Sequence, residues 1–266
     1  LIDGSVLIFD DATPSYRLAA LLSANGQDLE IGWSETEHAG LDGLDRIMTS
    51  YVLGNLVALA LRLSGRIVLH GNAVCIGDRS IAWIGGKGAG KSTLSAAFTD
   101  AGYATITDDQ LVLRKGPQGD HPAYGVPRIR LWPNSLQGMA RTTMTAYSQP
   151  FGASVKGWLE FDVPDRFDEA APPLAALYVL EPRSPAHQDA QLGRPSPAER
   201  LVHLLHHRLG RISLPLPPER LEAELRALAR LGTRIPIRTL RLPDDLDALP
   251  QVIQRLVALH ADPHGS

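Results

Sequence analysis

Residues 85–92 read GGKGAGKS, with the apolar run Ile81-Ala82-Trp83-Ile84 before them and TLSAAF (93–98) after. The stretch fits G-x-x-x-x-G-K-[ST], with Gly85, Gly90, Lys91 and Ser92 in the fixed places. Glycines let the backbone N–H groups turn inward and approach phosphate oxygens closely. A helix that starts at the end of such a loop adds its N-terminal N–H groups and partial positive charge. The lysine of the motif reaches the β- and γ-phosphates, and the hydroxyl that follows it can hold Mg²⁺. The context the motif requires, a strand before it and a helix after it, is predicted here. The nine residues Gly85, Gly86, Lys87, Gly88, Ala89, Gly90, Lys91, Ser92 and Thr93 are therefore the expected cradle for ATP, with Mg²⁺ at Ser92.

The elements around the loop follow from apolar periodicity and turn residues. Arg66–Leu69, Ala73–Ile76 and Ser80–Ile84 read as short strands, the last two joined by the tight turn Gly77-Asp78-Arg79. Thr93–Ala101 reads as a helix closed by Gly102, and Ala104–Thr107 as a strand ending in Asp108-Asp109. Residues 46–64 have helical spacing, and residues 1–45 read as short strands and turns. Residues 114–127 read as a loop, Ile129–Trp132 as a short strand and 141–158 as irregular. Leu174–Leu180 is a buried strand, followed by a loop over 181–197. The last third is mostly helical: Pro197–Gly210, Pro218–Leu231 and Leu249–His260, with a strand at Ile235–Leu242. The expected fold class is α/β with a mixed, partly antiparallel sheet. Residues 1–65 form a small N-terminal strand and helix region, and residues 66–266 the P-loop domain.

Composition narrows the setting. The chain has 266 residues, 44% hydrophobic and 21% charged, long enough for a real core and roughly one to two domains. A net charge of −3 gives no footing for nucleic acid or an anionic membrane. The most apolar run, Tyr51–Leu63, is too short to span a bilayer. The first residue is Leu1 rather than Met, and no secretory leader is expected. One cysteine, Cys75, excludes an intrachain disulfide, so a cytoplasmic location is expected.

Asp108 and Asp109 stand on the first strand after the loop helix. A magnesium nucleotide needs a carboxylate near its metal, and phosphoryl transfer to a hydroxyl needs one to orient that hydroxyl and take its proton. Consecutive residues on a regular strand face opposite ways, so both serve only where the strand ends or bulges; otherwise one is a surface residue. His70, at a strand end before the loop, reads equally as a structural hydrogen-bonder and as a site residue. Arg128 and Arg130 alternate in VPRIRLWPN (126–134) and share a face. That face suits phosphate or an acidic peptide, and it also suits a solvated edge strand. Lys156, in ASVKGWLEF (153–161), either reaches the transferred phosphoryl group or is exposed. His203 and His207 are four apart and share a helix face, but no third ligand stands at a diagnostic spacing, so the cluster they form with His206 reads as solvated helix histidines.

Taken together, LHG (69–71), the P-loop, Gly102-Tyr103 and TDD (107–109) resemble the catalytic domain of HPr kinase/phosphorylase, whose pattern is HG, then the P-loop, then G-[HY]-x-x-x-x-DD. Leu69–Leu113 carries the likeness. The resemblance implies a fold related to phosphoenolpyruvate carboxykinases, with Asp108 as catalytic base and His70 at the family histidine. On the reading of the residues themselves, Lys91, Arg130 and Lys156 are also expected in catalysis, Asp109 with Ser92 at the metal, and Arg128, Arg130 and Lys156 at the transferred phosphoryl group or an acceptor carboxylate. Where the family carries a glycine-rich segment with a metal-binding glutamate, this sequence reads YGVPRIRLWPNSL (124–136). That segment and LAALYVLEP (174–182) are similar to HPr-kinase-like proteins of peptide biosynthesis clusters, some of which phosphorylate the C-terminal serine of lasso peptide precursors. The implied activity is a serine kinase acting on such a peptide. The alternatives are an HPr-type protein serine kinase, a nucleotide-binding switch that transfers nothing, and a small-molecule kinase. The family's hexamers hint at a homo-oligomer.

Overall fold

The computed structural model describes residues 6–12, 16–35, 52, 54–132, 144–148, 155–160, 171–183, 189–210 and 217–261. Among these the chain divides into two units. One takes the residues up to Val68 together with Arg208–Ala227; the other takes Leu69–Ser148, Ala153–His207 and Leu228 onward. The sequence reading had drawn one boundary, between residues 65 and 66. Among the described residues, no helix is long and apolar enough to cross a membrane.

In the first unit, strands β1 (Val6–Ala12), β2 (Tyr16–Leu22) and β3 (Leu29–Glu35) form an antiparallel sheet in that order. Alternation sends Ala20 and Leu22 inward, where they meet Leu56, Leu59 and Leu63 of helix α1 (Val57–Leu63) and its approach. Arg62, on the same helix, is buried among charges. Its guanidinium grips Glu224 through Nε at 2.7 Å and Nη2 at 2.9 Å, and Nη1 donates to the Gly210 carbonyl at 2.8 Å. Arg208 reaches the same carboxylate at 2.7 Å. Burial pushes the Glu224 carboxyl up, but hydrogen bonds and charge from Arg62 and Arg208 together outweigh it and hold the group below its usual range.

The second unit is built on one mixed sheet. Its strands are β4 (Ile67–Ile76), β5 (Arg79–Gly85), β6 (Thr105–Thr107), β7 (Gln110–Gly116), β8 (Gly119–Pro122), β12 (Leu174–Glu181), β13 (Gln191–Gly193) and β14 (Ile237–Arg241). The order is β13-β14-β12-β5-β4-β7-β8, with β6 paired to β4. β5 lies parallel to β12 and antiparallel to β4, and β12 lies parallel to β14. A further small sheet joins β9 (Arg128–Leu131), β10 (Met144–Ser148) and β11 (Val155–Glu160) antiparallel, with β11 central. Helix α2 (Lys91–Asp100) and the closing helix α5 (Leu249–His260) cover one face of the large sheet. Leu94 and Phe98 of α2, and Leu249, Val252, Ile253 and Leu256 of α5, pack on Val74, Ile81, Trp83, Tyr178, Leu180 and Leu240. Helices α3 (Pro197–His206) and α4 (Pro218–Arg234) follow the last long strand of the sheet or precede its final one. Leu204 of α3 approaches Gly232 of α4 closely, a Cβ there meeting its Cδ1 at 3.7 Å.

The expected α/β class with a partly antiparallel sheet and a helical last third is what the structure has. Several local readings differ. The two short strands before the loop are one strand, β4, because Gly71 and Asn72 stay paired with Ile84 and Trp83 through the HGN stretch. Residues 114–127, read as a loop, contain the hairpin end Gly116↔Gly119 and strand β8. Residues 144–148 and 155–158, read as irregular, lie in the paired strands β10 and β11. Gln191–Gly193 adds a short edge strand to a segment read as loop. All are short strands with little apolar alternation, where pairing rather than side-chain pattern decides the structure. Helix α3 ends at His206 rather than Gly210.

Candidate active site

The glycine-rich loop begins where β5 can go no further. A Cβ on Gly85 would meet Leu180 Cβ at 3.0 Å, Leu180 O at 3.1 Å and Ala89 Cβ at 3.2 Å, so the loop folds back closely enough that a side chain there would have to push its neighbours aside. Gly88 and Gly90 take φ values of 82° and 96°, the left-handed region that turns successive N–H groups to one side. Gly90 caps α2, and its carbonyl accepts from Leu94 N at 2.9 Å. Gly86, Lys87 and Gly88 are exposed at the tip, and Ala89 is buried. Lys91 is buried, with Nζ donating to the Gly85 carbonyl at 2.8 Å and the Gly86 carbonyl at 3.2 Å. Behind it, Trp83 Nε1 donates to the Lys91 carbonyl at 3.0 Å and its ring stacks on Phe98 at 5.4 Å. Ser92 and Thr93 are half-buried in the first turn.

The carboxylate pair arrives on β6. That strand ends at Thr107, and Asp109 has φ of 66°, so the strand alternation that would have parted the two residues stops here. Gln110 N donates to the Asp108 carbonyl at 2.8 Å across this tight turn. Asp108 is buried. Its Oδ1 accepts from Asn72 Nδ2, its Oδ2 accepts from the Arg130 backbone N–H at 3.0 Å, and the Ser92 hydroxyl also bonds to it. Burial, and next the negative charge of Asp109, push the Asp108 carboxyl up to about 8; the bonds from Arg130, Ser92 and Asn72 pull the other way.

His70 stands beside this pair. Its Nδ1 meets the Asp109 carbonyl at 3.1 Å; a carbonyl only accepts, so Nδ1 carries the proton. Gly71 N donates to the same carbonyl at 3.3 Å. Gly71 has no room for a side chain, since a Cβ would stand 2.6 Å from Trp83 O and 2.8 Å from Ile84 Cγ2. The His70 N–H donates to the His207 carbonyl at 2.7 Å. His207 therefore corrects the reading of a solvated helix histidine: it is half-buried at the C-terminal end of α3. Burial first, then the charges of His206, Lys91, His203 and His70, push it down to about 4, so it stays neutral. Among the described residues no group of three His, Cys, Asp or Glu side chains forms a metal site.

Arg128 and Arg130 lie on the less buried face of β9, Arg128 exposed and Arg130 half-buried. What Arg130 gives Asp108 is its backbone N–H. Lys156 lies on β11 beside the position paired with Leu131, opposite Tyr147; its side chain lies outside what is described. The structure thus brings Gly85–Thr93, His70, Asp108 and the Arg130 backbone together. Sequence reasoning missed Asn72 and Ser95, which are also buried here: Asn72 Nδ2 donates to Ser95 Oγ at 2.6 Å. The one available signal was that Asn72 is a polar residue two places after His70, on the same face of the same strand.

No protein-family profile matches the chain. No curated protein matches it either. Among solved structures, the chain is similar to the Hpr(Ser) kinase/phosphatase from Coxiella burnetii, with 16% identity, 73% of this chain and 95% of that chain covered, and a TM-score of 0.33.

Proposed function

We propose that this chain is a kinase that transfers the γ-phosphoryl group of ATP to a serine hydroxyl of a peptide. The observation that carries the reading is the Asp108 carboxylate: buried, bonded to the P-loop Ser92, and with its proton affinity raised toward neutral pH. A general base works best when its pKa lies near the operating pH. The loop fits a nucleotide, because Gly88 and Gly90 hold the left-handed angles that a phosphate cradle uses and Lys91 sits over the loop carbonyls. Magnesium needs only one or two protein carboxylates beside phosphate and water, so the lack of a three-residue cluster among the described residues does not oppose it.

In this reading Gly85–Thr93 bind the phosphates, and Ser92 with Asp109 holds Mg²⁺. Magnesium ATP supplies the phosphoryl group and neutralises its charge. Asp108 orients the acceptor hydroxyl and takes its proton as the new O–P bond forms and the bond to the ADP oxygen breaks. Arg128, Arg130 and Lys156 steady the phosphoryl group or hold an acceptor carboxylate, which suits a serine at a chain end, as in a lasso peptide precursor. His70 fixes the backbone of Asp109. Catalysis is then positioning and charge stabilisation. A cytoplasmic setting goes with this reading. One observation favours a second assignment: Ser92 bonds to Asp108, not Asp109, which supports Asp108 at the metal and Asp109 at the acceptor.

The test is the intact mass of two acceptors, a lasso precursor peptide ending in serine and the protein HPr, after incubation with enzyme, ATP and Mg²⁺. Phosphate on the peptide alone supports the proposal. Phosphate on HPr alone makes the chain a protein serine kinase. No gain on either, with ATP still bound, removes the peptide-kinase reading in favour of a switch or a small-molecule kinase.

A further inference from the structure

We propose that Asn72 is the positioning residue for the Asp108 carboxylate, tying it to the first turn of the P-loop helix. The inference rests on the reading above, in which Asp108 meets the acceptor or its metal.

Asn72 is fully buried on β4, opposite Trp83. A buried side-chain amide is costly unless its donors and acceptor are paired. Here one N–H goes to Ser95 Oγ at 2.6 Å and the other to Asp108 Oδ1, while the amide oxygen faces the Asp109 N–H at 3.5 Å. Only one orientation works. A flipped amide would set its oxygen against the Asp108 carboxylate, acceptor against acceptor. Ser95 is fully buried too, and its hydroxyl donates to the Lys91 carbonyl at 3.3 Å. A continuous run of bonds therefore leads from the backbone of the P-loop lysine through Ser95 and Asn72 to the carboxylate.

The arrangement fixes the plane of the Asp108 carboxyl group. Oδ1 is held by Asn72 and Oδ2 by the Arg130 N–H. An ionised carboxylate has roughly four acceptor positions; Asn72, Arg130 and Ser92 take three, which leaves one for an acceptor hydroxyl. Asn72 also donates to the ionised form and so opposes the burial that favours the neutral acid. An apolar side chain in its place would satisfy the sheet and fail at both tasks.

The experiment is a double-mutant cycle in the full chain. Asn72→Leu removes the amide at similar size; Asn72→Ser keeps one donor and carries the cycle if the leucine variant does not fold. We expect single-turnover phosphoryl transfer to fall about tenfold with leucine and less with serine, with the KM for ATP unchanged, and neither change to slow Asp108→Asn any further. An equal fall in the Asp108→Asn background, or a KM for ATP that rises along with the fall in kcat, overturns the proposal. If the wild-type protein phosphorylates neither acceptor, the kinase reading fails by itself, and the same cycle read by urea unfolding decides the role of Asn72, additive losses overturning it.

Discussion

Two buried carboxylates, one in each unit, are treated in opposite ways. Glu224 lies between two guanidinium groups, and its proton affinity is held down. Asp108 receives only neutral donors, lies beside a second carboxylate, and its proton affinity is driven up. Burial acts alike on both, and the identity of the partners decides the sign. Paired with cations, a carboxylate is a locked structural element. Surrounded by amides and hydroxyls, it stays able to exchange a proton. The second environment is the one that chemistry needs.

This contrast can be broken from either side. The largest effect is expected from Asp108→Asn, which should lower phosphoryl transfer by roughly 10²- to 10⁴-fold while leaving nucleotide affinity near wild type, as read by single-turnover transfer and ATP titration. Transfer at the wild-type rate would remove Asp108 from the chemistry. Next comes Glu224→Ala, which strands the Arg62 and Arg208 guanidinium groups and should cost about 3–5 kcal/mol in urea unfolding, with activity assays run well below the new midpoint.

The pH dependence of stability sharpens the comparison, because the two groups contribute with opposite signs. Asp108 has a raised folded-state value, so its contribution is full below the ordinary carboxylate range and is lost as pH climbs through about 8. Glu224 has a lowered value, so its contribution is full above the ordinary range and is lost as pH falls through its folded-state value. Unfolding free energies measured across pH should therefore lose their decline between the ordinary carboxylate range and about pH 8 in Asp108→Asn, and their acid slope in Glu224→Gln. The same slope lost in both variants would contradict the comparison. The smallest effect is a control on packing: Gly71→Ala should destabilise by about 1–3 kcal/mol, since its Cβ meets the Trp83 carbonyl, a rigid backbone atom.

The parts of the site that are contiguous in the chain were legible. The P-loop and its helix lie within residues 85–100, and the aspartate pair follows at the end of the next strand. Even the condition on that pair, that the strand must end there, could be stated from alternation alone and is met by Asp109 at φ 66°. What was not legible came from pairings distant in sequence. Asn72 reaches Asp108 across the β4–β6 pairing, and Arg130 reaches it with a backbone group that has no side-chain signature. Arg62 finds Glu224 from 162 residues away, and nothing in either segment announces the other. His207 was misread because helical spacing carried the reading past the point where α3 ends.

Trp83 gives the protein an optical consequence. The indole is fully buried, stacked on Phe98, and its N–H is bound to the carbonyl of Lys91 at the mouth of the loop. Trp33 and Trp132, by contrast, are exposed to solvent. In a Trp158→Phe background, blue-shifted emission from Trp83, resistant to a dissolved quencher that silences the exposed indoles, therefore reads the first turn of the P-loop helix. The chain carries its own fluorophore at the place where a phosphate would arrive.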